Sequence, residues 1–501
     1  MKLESATTTE TLEIVAPSAP APVVPGLARA VFSFRVLLAV ALAAITMLTV
    51  RNLFNNPDLW WHLRHGEIVW NTHTIPTRDE FSFTAYGALS PDHEWLAQWS
   101  MYAAYRLAGN AGLMLWLALL APLLFVLVYL LCYRACGSPV VAFLGGICAW
   151  YFGTVGLAIR PLMLGHLFLV MELLCLERAA TDRRWLWALP PLFAVWVNCH
   201  GSFLFGLAVM GVYCVCAAIR GEWGLVVSEP WDRAAYKRLF AVTGLCVGAV
   251  CCNPEGILVL YYPLNVLSNQ TTSMNAIDEW LPPSLGTARG MGLVAVGVLL
   301  LLLPLLRRVE LRLRELLTIG MAFGLALLHV RMLFLFGIVM APTLCRLLCP
   351  VPEVRPVRER TALNAVLIFA LLGTAVWAFP SRARIEEQIR QANPVGAVEF
   401  LRRARLPGPM LNDYGYGGYL IWALPEQKVF IDGRGDVFDP SGILAEYVRW
   451  ATLNEDPKLL PDKYHIRLCL MPKDLPMERV LPYLPGWRLA YKDDQAAVYV
   501  R

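Results

Sequence analysis

The chain has 501 residues, of which 57% are hydrophobic and only 16% are charged, and this composition is too apolar for an ordinary soluble enzyme. Much of its surface has to be in contact with lipid instead of water, so we expect a polytopic membrane protein. The formal net charge is only +5, and the positive residues are spread along the chain rather than gathered in one patch. Nucleic acid is therefore not expected as a partner.

The first segment of the chain differs from the rest. Residues 1–28 combine Thr, Pro and Ala with acidic residues and lack the apolar core of a signal peptide, so they are predicted to be a disordered cytoplasmic tail. Apolar stretches come next, and about eleven could cross a bilayer, several only with help from neighbours because they are shorter than roughly 20 residues. They lie near 33–52, 111–132, 138–158, 161–176, 185–199, 202–219, 239–253, 290–306, 315–330, 332–348 and 361–379.

Positive charge alternates between successive short connections, and this alternation predicts the orientation because Lys and Arg concentrate on the cytoplasmic side. The basic connections contain Arg134; Arg178, Arg183 and Arg184; Arg220, Arg233, Lys237 and Arg238; Arg307, Arg308, Arg312 and Arg314; and Arg346, Arg355, Arg358 and Arg360. The opposite short connections contain Arg160, Arg289 and Arg331. The N-terminus is thus predicted inside. The large loop 53–110, the turns near 160, 200 and 331, the 253–289 loop and everything after 380 are predicted outside.

The first outer loop begins with "NNPDLWWHLRHGEIVW", residues 55–70. A helix over 58–70 places Asp58, Trp61, His62 and His65 on one face and Glu67 on another. In the simplest alternative Asp58 only caps this helix, while the tryptophans form an interfacial belt and the histidines are surface residues. Ionisable groups at membrane level more often mark functional sites, so we favour a functional role for Asp58.

The rest of this loop is also rich in ionisable residues. His62, His65, His73 and His93 are half of the eight histidines in the chain, and a second amphipathic helix is predicted from His93 to Tyr105. Asp79 and Glu94 are further candidate acids. No zinc signature is present. A divalent cation would here be Mg or Mn, held by Asp58 and His62.

Polar residues also gather at the other outer turns: Arg160, Asn198 and His200, Asn253 and Glu255, Asp278 and Glu279, and His329 and Arg331. Each turn taken singly is more simply a helix end that satisfies its own backbone. Together they predict one outward cavity in which arginines grip a phosphate and carboxylates accept a proton. Transfer of a sugar from a lipid-linked phosphate to a hydroxyl needs these groups. A transporter would instead place charges at the bilayer midplane, where Glu172 is the main one.

From residue 380 onward the composition is that of a water-soluble α/β domain, 380–501. The pattern predicts helices at "PVGAVEFLRRARL", "GYLIWALP", "SGILAEYVRWATL" and "MERVLPYL", strands at "GPMLN", "KVFID" and "IRLCLMP", and a closing hairpin at "WRLAYKDDQAAVYVR". Asp432 and Arg434 end the predicted strand "KVFID" beside the glycines of "NDYGYGGYL". Ligand binding at a strand end and ordinary closure of a small domain both account for this pattern.

Several of these motifs together resemble the GT-C glycosyltransferases: "PDLWWHLRHGE", "IPTRDEFSFT", "HEWL", "RP" at 160, "WVNCHGSF", "NPEG", "DEW", "NDYGYGGYLIW" and "VFIDGR". The resemblance implies a bacterial inner-membrane protein with a membrane part, 29–379, a periplasmic domain, and a polyprenyl-phosphate sugar as donor. It also implies that the acidic residue behind the first helix, Asp58, is the base or a metal ligand, with Asp79 or Asp92–Glu94 as a second acid. The DxD and WWDYG-type motifs are absent, so metal use and the acceptor class stay open.

The sequence is thus interpreted as a membrane glycosyltransferase, expected to be inverting, whose acceptor is a lipid, a glycan or a protein. The expected catalytic residues are Asp58, His62, Asp79 and Glu94, and the expected substrate-binding residues are His65, Arg160, Asn198, His200, Glu279 and Arg331. The alternative is a non-catalytic scaffold or a lipid or solute carrier. In the enzyme, Asp58, Arg160, His200 and Arg331 should surround one outward cavity, whereas a carrier should also open toward the cytoplasm.

Overall fold

The computed structural model describes residues 26–261, 268–349 and 359–501. Most of the predicted N-terminal tail, 1–25, lies outside the described residues, and its last part, 26–28, is helical rather than disordered. The helices before residue 380 are α1 Gly26–Val31, α2 Phe34–Val50, α3 Leu59–Thr72, α4 Trp95–Ala108, α5 Asn110–Cys136, α6 Pro139–Gly153, α7 Leu162–Ala179, α8 Leu189–Trp196, α9 Phe203–Ala218, α10 Arg233–Ala249, α11 Thr271–Ala276, α12 Ala288–Arg307, α13 Leu313–Leu328, α14 Leu333–Leu348 and α15 Thr361–Ala378.

Each predicted apolar stretch contains a helix, as hydrophobicity and the turn residues between the stretches predict. Gly137 ends α5 in the left-handed conformation (φ 69°), and Ser138 caps α6 with Pro139 in its first turn, so a short turn joins the two helices. Among the described residues, five helical segments are long and apolar enough to cross a membrane: Asn110–Cys136, Arg233–Cys252, Ala288–Arg307, Val330–Leu348 and Thr361–Ala378. Helices α2, α6 and α9 are apolar but shorter. The number of spans stays a prediction.

The centre of the helical bundle is filled with side chains. Helix α14 starts beside Arg331, and nearly all of its residues are buried against neighbours that include α5 and α6. Phe125, Phe152, Phe334 and Phe336 are at most 1% exposed, and the rings of Phe125 and Phe334 stack at 5.7 Å. Dense aromatic packing of this kind separates the two ends of the bundle.

The two helices predicted in the first outer loop are present as α3 and α4, and they pack tightly on each other. A Cβ on Gly66 of α3 would come within 2.3 Å of the backbone oxygen of Gln98 in α4, so only glycine permits this crossing. Glu67 points away from Asp58 and binds Arg64 and Tyr102. The predicted division of faces along α3 is therefore present.

The part of the chain after residue 380 combines helices with a sheet. Its helices are α16 Arg382–Ala392, α17 Val395–Ala404, α18 Tyr414–Ala423, α19 Gly435–Phe438, α20 Ile443–Ala451, α21 Leu459–Lys463 and α22 Pro476–Val480. Its strands are β4 Met410–Asn412, β5 Leu468–Pro472, β6 Arg488–Lys492 and β7 Ala496–Val500, in the order β4-β5-β7-β6, with β4 parallel to β5 and the other pairs antiparallel. Three earlier short strands, β1 Gly221–Trp223, β2 Val226–Ser228 and β3 Leu311–Arg312, form a small sheet between helices of the bundle.

Strands β4, β5 and β7 are buried on both faces of the C-terminal sheet, whereas the edge strand β6 is mostly exposed. Successive side chains of a strand point to opposite faces. Leu468 and Leu470 of β5 join the hydrophobic core that continues into the helical bundle, whereas Cys469 and Met471 join a second, separate core. The predicted strand "KVFID" is wrong. Its Val429 makes one isolated bridge to Ser82 of the first outer loop, so this segment ties the loop to the C-terminal part instead of extending the sheet.

Candidate active site

Asp58 lies at the start of α3, and its side chain points away from the helix backbone. None of the described N–H groups of α3 makes a capping hydrogen bond to it. Instead Oδ2 accepts from Nη2 of Arg160 at 2.6 Å, and Oδ1 accepts from Nε1 of Trp61 at 3.3 Å. The side chains of Asp58 and Arg160 are 15% and 22% exposed, so this ion pair is within reach of a bound molecule.

The pair continues into a row of alternating charges drawn from distant parts of the sequence. Nη1 of Arg160 donates to Oε2 of Glu279 at 3.1 Å, and Oε1 of Glu279 lies 3.7 Å from Nη1 of Arg331. The guanidinium of Arg331 lies 4.3 Å from the ring centre of Trp280. We call Asp58, Arg160, Glu279 and Arg331 the charged row. It places the guanidinium groups of Arg160 and Arg331 on either side of one carboxylate, an arrangement that also suits a phosphate.

A second cluster surrounds Glu94, the residue before α4. Its carboxylate oxygens lie 3.6 Å from Nε2 of His200, 3.9 Å from Nδ1 of His62 and 4.0 Å from Nε2 of His93. The ring of His62 also lies against that of Trp61, with the ring centres 3.6 Å apart and the planes tilted by 34°. Because Trp61 binds Asp58 as well, the Glu94 cluster and the charged row share one side of α3.

His65 lies at the far edge of this cluster. Its Nδ1 lies 2.9 Å from Oδ2 of Asp92, whose other oxygen accepts from Nε2 of Gln98 at 3.0 Å. The same Gln98 nitrogen is 3.3 Å from Nδ1 of His62. His65 and Gln98 thus hold α3 and α4 in register beneath His62, and the substrate-binding role expected for His65 stays a prediction.

Burial sets the charge state of these groups. It raises the pKa of Glu94 to about 8, with a further increase from Asp92, and it lowers the pKa of His62 and of His200, an effect that nearby arginines reinforce. At neutral pH the Glu94 cluster is consequently an uncharged set of hydrogen-bonding groups.

The two carboxylates of the charged row respond differently to their surroundings. Burial raises the pKa of Asp58 above its usual value, although Arg160 opposes the increase. Burial also acts to raise the pKa of Glu279, but Arg160 and Arg331 together hold it below its usual value. Asp58 is therefore the stronger proton acceptor of the two.

The glycines after residue 410 allow the C-terminal part to touch Asp58. A Cβ on Gly433 would lie 2.0 Å from Oδ1 of Asp58, and one on Gly418 would lie 2.4 Å from the backbone oxygen of Pro57. Tyr414, which the sequence reasoning missed, donates from its hydroxyl to the oxygen of Gly433 at 3.2 Å. Burial raises its pKa, and the charge of Asp58 adds to the increase. The glycine-rich motif "NDYGYGG" was the feature of the sequence from which a role for Tyr414 could have been predicted.

Two expected site residues are used elsewhere. Asp79 is fully buried, and Oδ1 accepts from Nη2 of Arg434 at 2.6 Å, while Asp432 binds the same guanidinium. Asp79 was predicted to be a catalytic acid. Its contacts instead give it a structural role, in which it links the first outer loop to the C-terminal part. The amide of Asn198 binds the backbone of Ala194 and Cys252 and accepts from Trp95, so it joins helix ends and has no group left for substrate.

The donor set does not fit the divalent cation considered from the sequence. Among the side chains of residues 26–261, 268–349 and 359–501, no group of three or more His, Cys, Asp or Glu is arranged to hold a metal ion. The two expected ligands have other partners, because Arg160 binds Oδ2 of Asp58 and His62 faces Glu94 and Gln98.

No family model and no curated protein matches the sequence, so similarity is found at the level of structure. The oligosaccharyltransferase AglB from Archaeoglobus fulgidus, solved in complex with an inhibitory peptide and a dolichol-phosphate, aligns with 87% of this chain and 69% of its own, at 11% identity and a TM-score of 0.53. The chain has the GT-C fold. ArnT from Cupriavidus metallidurans, solved bound to undecaprenyl phosphate, aligns over 93% of this chain and 97% of its own, at 14% identity and a TM-score of 0.49. The resemblance noted in the motifs is confirmed at the level of fold.

Proposed function

We propose that this protein is a membrane glycosyltransferase that moves a sugar from a polyprenyl-phosphate donor to an acceptor hydroxyl on the periplasmic side of a bacterial inner membrane. The observation that carries the proposal is the charged row, in which a carboxylate of raised pKa touches one of two neighbouring guanidinium groups. The GT-C fold supports it, and so does the dolichol-phosphate in the AglB complex.

The donor phosphate is bound by Arg160 and Arg331. Each already faces Glu279, and a phosphate that replaces this carboxylate would keep both guanidinium groups paired. Arg160 would then also loosen its hold on Asp58. Because Arg160 is the charge that lowers the pKa of Asp58, donor binding makes Asp58 a better base just when the acceptor arrives.

Transfer then takes place in one displacement. The acceptor oxygen forms a bond to the anomeric carbon of the sugar while its proton passes to the carboxylate of Asp58. The bond between that carbon and the phosphate oxygen breaks, its electron pair stays on the phosphate, and Arg160 and Arg331 stabilise the added charge. A single displacement of this kind inverts the anomeric centre.

The acceptor hydroxyl is held by the Glu94 cluster. A protonated Glu94 donates a hydrogen bond, and the neutral imidazoles of His62 and His200 can each donate or accept one. Such a set binds hydroxyl groups without the repulsion or the strong hydration that charges would bring. It lies on the same side of α3 as Asp58, which is the base that has to receive the proton.

A second candidate function is a lipid or solute carrier, and one observation favours it: a cavity opens at the opposite, basic end of the bundle. Against it, the buried phenylalanines of α5, α6 and α14 fill the space between the two ends. The deciding experiment offers the purified protein a panel of radiolabelled polyprenyl-phosphate sugars with lipid, glycan and peptide acceptors. Labelled product supports the transferase. Polyprenyl-phosphate binding without turnover of any donor would favour the carrier.

A further inference from the structure

A second cavity lies at the end of the bundle opposite Asp58. It opens among α5, α7, α9, α13 and α14, and the charged residues of its lining are Arg134, Glu177, Arg312, Arg314, Glu315 and Arg346. From the start of α14 at Leu333, near Arg331, to Arg346 the helix rises by about 20 Å. The cavity is therefore separate from the charged row, and by the distribution of Lys and Arg it faces the cytoplasm.

The arginines of this cavity fall into two classes. Arg346 donates to Glu315 from Nε at 3.0 Å, and Nη1 of Arg312 lies 3.9 Å from the same carboxylate, so Glu315 offsets much of their charge. Arg134 and Arg314, by contrast, have no ion-pair partner within the described part of the chain. Arg314 only lies over the ring of Tyr213, at 5.6 Å. Two arginines thus face one cavity without a carboxylate bound to them.

The deeper wall of the cavity is apolar. Leu131 of α5 and Leu173 of α7 are buried, and Ile319 and Val339 line the cavity beside them. A charged mouth over an apolar wall, set between membrane helices, matches a molecule with an anionic head and a hydrocarbon tail. Basic pockets between helices on the cytoplasmic side bind the head groups of anionic lipids in this way.

We propose that this cavity binds an anionic phospholipid, with its phosphate between Arg134 and Arg314 and the start of an acyl chain against Leu131, Leu173 and Ile319. Glu177 in the lining disfavours a second anion, so one phosphate is held at a time. The buried phenylalanines of α5, α6 and α14 fill the bundle between this cavity and the charged row, which favours a binding site rather than a passage. The proposal does not depend on the transferase activity.

The test measures lipid binding to the full chain in a neutral detergent by native mass spectrometry, with dioleoyl phosphatidylglycerol and dioleoyl phosphatidylcholine as probes. The variant Arg134→Gln/Arg314→Gln should bind phosphatidylglycerol about 30-fold more weakly than the wild type, since it loses two arginines from a phosphate at the membrane surface. Neither arginine has an ion-pair partner among the described residues to leave unpaired, so the variant should melt within a few degrees of the wild type.

The matched control is Lys237→Gln/Arg238→Gln, which removes two exposed charges from the start of α10 at the same end of the bundle, outside the cavity. It should bind phosphatidylglycerol as the wild type does. An equal loss in both variants, or equal binding of both lipids by the wild type, would overturn the proposal. Displacement of phosphatidylglycerol by millimolar inorganic phosphate would also overturn it, because the site would then take a soluble anion.

Discussion

Replacement of Asp58 by asparagine tests the charged row directly. Asparagine has nearly the same shape and keeps an oxygen for Trp61, but it cannot accept a proton from the acceptor. Loss of a positioned base lowers kcat by about 10²- to 10⁴-fold. The cost in stability should be modest, because Asp58 caps no described N–H group and the substitution weakens only its ion pair with Arg160. Arg160 also retains Glu279 as a partner.

The assay follows radiolabelled sugar from the polyprenyl-phosphate donor that the wild type uses, with melting temperature and donor binding measured in parallel. The matched control is Glu80→Gln, which removes an exposed carboxylate of the same loop that makes no hydrogen bond or ion pair within the described residues. We expect Asp58→Asn to bind donor and lose turnover, and Glu80→Gln to match the wild type. An Asp58→Asn protein with turnover within threefold of the wild type would refute the assignment of Asp58 as the base.

Three further predictions concern the surroundings of Asp58. Glu94 is protonated below its raised pKa of about 8 and ionised above it. The KM for the acceptor should therefore rise above pH 8 in the wild type and stay constant in Glu94→Gln. The same dependence of KM on pH in both proteins would contradict this. Asp79→Asn should cost about 2 kcal/mol in SDS-induced unfolding, since Asp432 still pairs with buried Arg434 and only the charge-assisted hydrogen bonds of Asp79 are weakened; an unchanged free energy of unfolding would argue against this structural role. Gly433→Ala should displace the side chain of Asp58 and lower kcat about 100-fold. Full activity of this variant would show that the close approach of Gly433 does not position Asp58.

The helices were predictable from the sequence because each is specified by a local pattern. Long apolar runs bounded by glycine, proline and polar residues fold as helices wherever the environment is lipid. The spacing of Asp58, Trp61 and His62 by three and four residues puts them on one face of α3 in any fold. The clustering of ionisable residues in the first outer loop is likewise evident from the order of the residues alone.

The roles of single residues were less predictable, because they depend on contacts between distant segments. "KVFID" has the apolar alternation of a strand, but its Val429 bridges Ser82 of the outer loop, and no local pattern encodes that pairing. Asp79 has the composition of a site residue, yet Arg434, 355 positions away, makes it a buried tie. Asn198 was likewise expected in the site, but its amide group binds the backbone at the ends of neighbouring helices.

The sequence by itself indicated that the protein is embedded in lipid, where its helices lie and on which side each loop is expected. It also indicated which types of residue lie in the outer loops. These follow from hydrophobicity, periodicity and charge, which act over a few turns of chain. The tertiary structure decided which of those residues meet: Asp58 with Arg160, Glu94 with His200, and Gly433 against Asp58. An ion pair depends on a separation of a few ångströms in space, and sequence distance does not specify that separation.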